Sequence, residues 1–113
     1  MFASKNLVDS DPKTLEIISK GWFKALDFIN TNPDEAYKIM GDAFGIPKEE
    51  MMDFKTGISW LNLNNNKQMF EQGSDTYAPM IFEKVGDILE KNEETDIRVK
   101  SNNHLTDKII KGL

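Results

Sequence analysis

Apolar residues recur at helical spacing along most of this sequence, and most regularly between positions 12 and 31. They return there at steps of three and four residues, which places them on one face of an α-helix. The members of this stripe are Leu15, Ile18, Trp22, Ala25, Leu26 and Ile29. Ile17 and Phe28 widen the stripe, so we expect helix 12–31 to be buried on more than one side.

Prolines mark the beginnings of the first three predicted helices. Ser10-Asp11 supplies a cap before Pro12, and the pre-proline residue Asn32 ends that helix near Thr31, because such residues avoid the α region. A second helix begins at Pro33 and a third at Pro47, each with two acidic residues in its first turn. Their predicted apolar residues are Ala36, Ile39, Met40, Ala43 and Phe44, then Met51, Met52 and Phe54, with Gly45 and Gly57 as the ends.

The pattern becomes less regular after residue 57. Ile58 and Trp60 alternate with Ser59 and Leu61, which allows one short extended segment, and three asparagines at 64–66 favour a turn. Shorter helices are predicted over 67–72, from Ser74-Asp75 onward and over 105–112, with a polar loop at 90–103 anchored by Ile97 and Val99. The residues assigned to the faces of the last two helices are Tyr77, Ala78, Ile81, Val85, Ile88, Leu89, Leu105, Ile109 and Ile110. The pattern therefore predicts a mainly α fold with five or six helices and at most one short strand.

Composition narrows the classes of function. The length of 113 residues is typical of a single domain, so we predict one helical unit over 1–113. A net charge of −5 with no basic run argues against binding to nucleic acid or to an anionic membrane. The absence of cysteine excludes disulfides, zinc–cysteine sites and thiol catalysis, and a single histidine, His104, argues against a histidine metal cluster or a catalytic triad. No apolar run approaches the roughly 20 residues of a membrane span. We predict no metal, no cofactor and no direct membrane insertion.

Paired carboxylates are the nearest approach to catalytic chemistry in the sequence. The pairs Asp34/Glu35 and Glu49/Glu50 fall in first turns of predicted helices, and Glu93/Glu94 falls in a polar loop. Catalytic carboxylates need desolvation or a like charge held close in space, which such positions do not supply. We therefore predict no catalytic residue and no enzymatic activity.

The order of motifs resembles a known family. The motifs are Phe2–Val8, a cap-proline helix with Trp22 and Leu26, Asn32–Ala36, Ala43–Pro47 and Gly57–Leu61. Together they resemble the C-terminal part of extracytoplasmic solute-binding proteins of ABC transporters. The branch is the nitrate/sulfonate/taurine group, which is similar to the binders of pyrimidine precursors. The resemblance covers nearly the whole chain and is weakest over 90–103.

The resemblance implies a fold and a place for the ligand site. Members of the family are considerably longer, and close two α/β lobes around a small ligand in a type II periplasmic-binding-protein fold. The stretch Phe2–Leu7 would end a strand returning from the second lobe, and the rest would be helices packed on the first lobe. The family's ligand-binding positions lie mostly upstream of this stretch, so the ligand-binding residues are unknown, with Ser4 and Trp60 as the candidates. Trp60 fits a cleft edge and fits equally well a plug at the rim of the core.

The resemblance also implies partners and a location. The apolar helix faces would be covered by the missing lobes of a parent protein or by a second copy of this chain in a homodimer, and the parent would dock on a transporter permease. The implied function is part of a substrate-binding protein of an ABC importer for a small anion or a pyrimidine-like solute, without a complete ligand site here. The location would be extracytoplasmic, with the signal upstream, since residues 1–5 lack one. A stand-alone helical protein-interaction module is the alternative.

Overall fold

The computed structural model describes residues 2–113 and confirms the mainly α class. Helices make up 68% of residues 2–113 and no strand occurs among them. The segment 58–62, which the alternation allowed as a strand, lies in coil. The α-helices are α1 (Lys5–Ser10), α2 (Pro12–Thr31), α3 (Pro33–Phe44), α4 (Lys48–Asp53), α5 (Leu63–Gln68), α6 (Ala78–Lys91), α7 (Ser101–His104) and α8 (Lys108–Lys111). A 3₁₀ turn over Phe54–Gly57 continues α4.

Contacts group the described residues into two compact units. The first contains the described residues as far as Asn62, and the second is Leu63–Leu113. The single helical unit 1–113 stays a prediction. No helix among residues 2–113 combines the length and the apolar character that crossing a bilayer requires.

The ends of α2 and α3 follow from local chemistry. Asp11 caps α2 by accepting bonds from the backbone N–H and the hydroxyl of Thr14, at 3.2 and 2.6 Å. Gly45 ends α3 in the left-handed conformation at φ 71°, which glycine adopts without a steric penalty. The predicted boundaries of both helices are confirmed.

The core of the first unit lies between α2 and α3. Its buried apolar residues are Leu15, Leu26, Ala36 and Tyr37. The predicted face of α3 is wrong in part, because Phe44 is 74% exposed whereas Tyr37 is 3% exposed. Gly41, one turn after Tyr37, approaches the following segment closely, since a Cβ there would lie 2.7 Å from the carbonyl oxygen of Ile46. The chain therefore returns closely over the side of α3 that carries Tyr37 and Gly41, whereas Ile39 on another side is 56% exposed. Phe44 is seven residues after Tyr37 and so lies on the same side, but it is the last residue of the helix and stays exposed.

The N-terminal segment also differs from the expectation. The resemblance implies a strand over Phe2–Leu7, but α1 begins at Lys5. The Ser4 hydroxyl accepts a bond from the backbone N–H of Leu7 at 3.2 Å, which satisfies a free donor in the first turn of that helix.

The second unit departs most from the sequence pattern. Helix α5 begins at Leu63 and ends at Gln68, so residues 64–66 are helical and the predicted helix over 67–72 is wrong. Helix α6 begins at Ala78, a few residues after the predicted start, with Pro79 in its first turn. Among residues 63–113 none is buried. This unit therefore has far less core than its apolar spacing suggested.

The anchors predicted for the loop 90–103 are also wrong. Ile97 is 73% exposed, whereas the side chain of Arg98 is 22% exposed and lies against α6. Neighbouring side chains of an extended segment point to opposite sides, so a segment that directs Arg98 inward directs Ile97 and Val99 outward. The predicted last helix is present as α8, but it begins at Lys108 rather than at Leu105, and it is followed by Gly112.

Candidate functional site

Of the two candidate ligand residues, Ser4 has a structural role. Its hydroxyl is the cap of α1, and it is exposed in a short loop of residues 2–4. No hydrogen bond or ring contact joins Ser4 to Trp60 in the described part of the chain. The two candidates therefore do not form a common site in residues 2–113.

Trp60 packs against α2. Its ring meets Trp22 edge-to-face, with centroids 6.0 Å apart and an interplanar angle of 69°. Both indoles remain partly exposed. Trp60 thus lies at the rim of the first unit's core and also borders a small cleft, so both interpretations made from the sequence describe part of its position.

The cleft beside Trp60 is small and apolar. Its volume is about 40 Å³, close to that of one water molecule. The residues around it are Tyr37, Met40, Met51, Phe54, Lys55, Ile58 and Trp60. The Tyr37 hydroxyl is buried and has no hydrogen-bond partner. The cleft is too small for an organic solute, and it contains no paired acid and base.

The acidic pairs occupy the positions that the sequence predicts. Asp34/Glu35 and Glu49/Glu50 lie in the first turns of α3 and α4, where carboxylates favour the helix dipole. Lys48 donates to Asp34 at 3.0 Å, and this bond raises the pKa of the Lys48 ammonium. Among residues 2–113, no group of three or more acidic or histidine side chains is placed to hold a metal ion.

A larger depression lies on the second unit. It measures about 210 Å³, below the 300–1,000 Å³ that is usual for small-molecule sites. Its lining residues are Lys67, Phe70, Glu71, Asp107, Ile110 and Lys111. Lys111 pairs with Asp107 at 2.6 Å, which neutralises part of the charge there.

A polar network surrounds Arg98, and the sequence reasoning missed it. Nη2 of Arg98 donates to the backbone carbonyl and to Oε2 of Glu83, at 2.9 and 3.1 Å, and lies 2.8 Å from Oδ1 of Asp87. The other carboxylate oxygen of Glu83 accepts the backbone N–H of Ser101 at 2.7 Å. Two features of the sequence could have indicated this network. Arg98 is the chain's single arginine, and residues 83, 86 and 87 share one side of α6.

Gly86 makes the position of Arg98 possible. A Cβ at this position would overlap Nη1 of Arg98 and would lie 2.9 Å from Cζ. Nη1 is itself buried and has no hydrogen-bond partner. Arg98 therefore rests directly on the backbone of α6, with its charge facing Glu83 and Asp87.

One face of α2 is apolar, exposed and free of charge. This open face of α2 consists of Ile17, Ile18, Gly21, Trp22 and Ala25. The exposed fractions are 70% for Ile17, 51% for Ile18 and 47% for Trp22. A Cβ on Gly21 would meet nothing within 4 Å, so the middle of the face is open space.

Comparisons with known proteins give no relative for this chain. No protein-family model, no curated protein and no solved structure matches it.

Proposed function

We propose that this chain is the C-terminal helical part of an extracytoplasmic solute-binding protein of an ABC importer. The parent binds a small anion of the nitrate, sulfonate and taurine class or a pyrimidine-like solute, and delivers it to a transporter permease. The residues of this chain supply a packing surface for one lobe rather than a ligand site. The order of motifs from Phe2–Val8 to Gly57–Leu61 suggests the family, and the open face of α2 is the observation that carries the proposal.

The open face of α2 has the properties of a surface that another part of a protein covers. Burying a large aliphatic or aromatic side chain contributes about 1.5–3 kcal/mol, so covering the remaining surface of Ile17, Ile18 and Trp22 would contribute on the order of 3 kcal/mol. Contiguous exposed apolar surface is uncommon in proteins that act alone. Covering by the remainder of the parent accounts for this patch without a homodimer.

The presence of a glycine at position 21 supports the same proposal, because glycine destabilises the middle of a helix. A glycine in a helix interior destabilises the helix by about 1 kcal/mol relative to alanine. Among residues 2–113, no neighbouring atom would lie within 4 Å of a Cβ at this position. A close approach by another backbone segment of the parent protein would require a residue without a side chain at this position.

The gene itself provides the first test. The DNA preceding the first codon should continue the reading frame and encode a signal peptide and two α/β lobes. An in-frame stop codon just upstream, together with a start signal of its own, would contradict the proposal and favour the stand-alone interaction module, in which the open face of α2 docks another protein.

Solute binding provides the second test. The longer protein should bind nitrate, an alkylsulfonate or a pyrimidine precursor in calorimetry, whereas the isolated chain should bind none of them. Micromolar binding by the isolated chain would show that the ligand site is not upstream. In the longer protein, Ile18→Glu should lower thermal stability, whereas Lys24→Glu, at an exposed charged position of the same helix, should leave it nearly unchanged.

A further inference from the structure

The segment that follows α6 is fastened to that helix at Glu83 and Asp87. Residues 92–104, here called the strap, include the non-helical stretch after α6 and the short helix α7. Two donors from the strap, the guanidinium of Arg98 and the backbone N–H of Ser101, converge on Glu83. Asp87, one turn further along α6, adds a second acidic partner for Arg98.

The other side chains of the strap do little to hold it in place. Ile97 and Val99 are exposed, and Glu93, Glu94 and Asp96 carry the same negative charge as Glu83 and Asp87 on α6. His104 stacks on Phe82 at a centroid distance of 6.1 Å, but His104 is itself exposed. Binding of the strap therefore depends mainly on a charge-assisted contact rather than on buried apolar surface.

We propose that Arg98 is a latch, which holds the strap on α6 and releases it as a unit when the guanidinium is displaced. The guanidinium of Arg98 fits against α6 because Gly86 has no side chain, since any Cβ there would occupy the volume of Nη1. Release leaves α6 intact and uncovers Phe82, Glu83 and Gly86. The latch is thus a conformational device of the second unit, and it does not depend on the proposed parent protein.

The single arginine makes the state of the latch measurable. A protease that cleaves only after arginine has one target bond in this chain, Arg98–Val99. The protease must take the arginine side chain into its own pocket, so it can cut only when Arg98 has left Glu83 and Asp87. Under such conditions the cleavage rate follows the population of the open form.

The experiment compares the whole chain with a synthetic peptide of residues 92–104 and with two glycine variants. We expect the wild type to be cut at least about tenfold more slowly than the peptide, since hydrogen bonds to charged groups are among the stronger ones. Gly86→Ala should be cut at close to the peptide rate, although alanine favours the helix. Gly21→Ala, a helix glycine with open space around it, is the matched control and should be cut at the wild-type rate.

Circular dichroism of each variant shows whether the helices persist. If Gly86→Ala loses helical signal, Glu83→Gln with Asp87→Asn removes the charges without adding a Cβ and should give the same acceleration. Cleavage of Gly86→Ala, with its helices intact, at the wild-type rate would overturn the proposal. Cleavage of the wild type as fast as the free peptide would also overturn it, because the strap would then be open from the start.

Discussion

Tyr37 is the most deeply buried of the four apolar residues that form the core of the first unit. Its side chain is almost fully buried, and its hydroxyl has no hydrogen-bond partner. A buried polar group without a partner costs about 1–3 kcal/mol. The ring therefore stabilises the fold and the hydroxyl opposes it.

The substitution Tyr37→Phe separates the two effects. It should leave the free energy of unfolding unchanged or raise it by about 1 kcal/mol, because it removes the unpaired hydroxyl and keeps the ring. Urea denaturation measures this change, and Tyr77→Phe, at a position that is only half-buried, serves as the control. A loss of more than about 1 kcal/mol would mean that the hydroxyl has a partner in solution.

Glu83 makes the stability of the second unit depend on pH. The hydrogen bond from the backbone N–H of Ser101 lowers the pKa of the Glu83 carboxyl below its ordinary value. The hydroxyl of Ser101 and the positive charges of Lys100 and Arg98 also lower this pKa, whereas partial burial raises it. Asp87 is a further acidic group that faces Arg98. A carboxyl with a lowered folded pKa contributes stability above its ordinary pKa, and this contribution disappears as the pH falls through the lowered value.

The comparison of Glu83→Gln with the wild type tests this dependence. The variant should be less stable at neutral pH, and the difference should vanish in acid, below the lowered pKa of Glu83. Thermal unfolding across the pH range measures the difference. Glu90→Gln, which removes an exposed charge from the same helix, controls for net charge. A stability gap between Glu83→Gln and the wild type that stays constant in acid would contradict this account.

At the scale of elements, three helix glycines occupy different environments. Gly21 faces open space, Gly41 meets the backbone oxygen of Ile46, and Gly86 meets the movable end of Arg98. Helix propensity favours alanine equally at all three positions. The surroundings of the new Cβ therefore decide the outcome of each substitution.

Alanine substitution should consequently give opposite results at Gly21 and Gly41. Gly21→Ala should stabilise the isolated chain by about 1 kcal/mol, because propensity acts alone there. Gly41→Ala should destabilise it by about 1–3 kcal/mol, since a rigid backbone oxygen must shift. Chemical denaturation of both variants measures the difference. A destabilised Gly21→Ala would indicate that the isolated chain already packs something against the middle of α2.

The same elements explain which part of the fold could be predicted from sequence. Pro12, Pro33 and Gly45 act within one turn of their own positions, so the bounds of α2 and α3 were predictable from local chemistry. Tyr37 could not be assigned to the core, because its burial depends on the close return of residues 46–48 over Gly41. Arg98 was missed for a similar reason, since its partners on α6 lie 15 residues away at Glu83. Ser4 caps α1 and Trp60 packs against Trp22, and both stay predictions as ligand-binding residues.

At the scale of the molecule, both units leave apolar helix faces exposed. The open face of α2 belongs to the first unit, and Ile81, Val85 and Ile88 are exposed on α6 of the second. Amphipathic helices gain most of their stability by packing such a face. The isolated chain is therefore expected to bind apolar dyes and to associate as its concentration rises, whichever surface covers these faces in the cell.

The substitution Ile18→Glu tests this expectation on the open face of α2. Because Ile18 is already half exposed, the change should alter the free energy of unfolding by no more than about 0.5 kcal/mol, while reducing dye binding and concentration-dependent association. Leu15→Glu, three residues earlier and buried, should instead unfold the first unit, because it places a charge in the core. Light scattering and dye fluorescence across a concentration series measure both variants. A wild-type chain that elutes as a clean monomer and binds no dye would contradict the idea that these faces need a cover, and with it the main support for a parent protein.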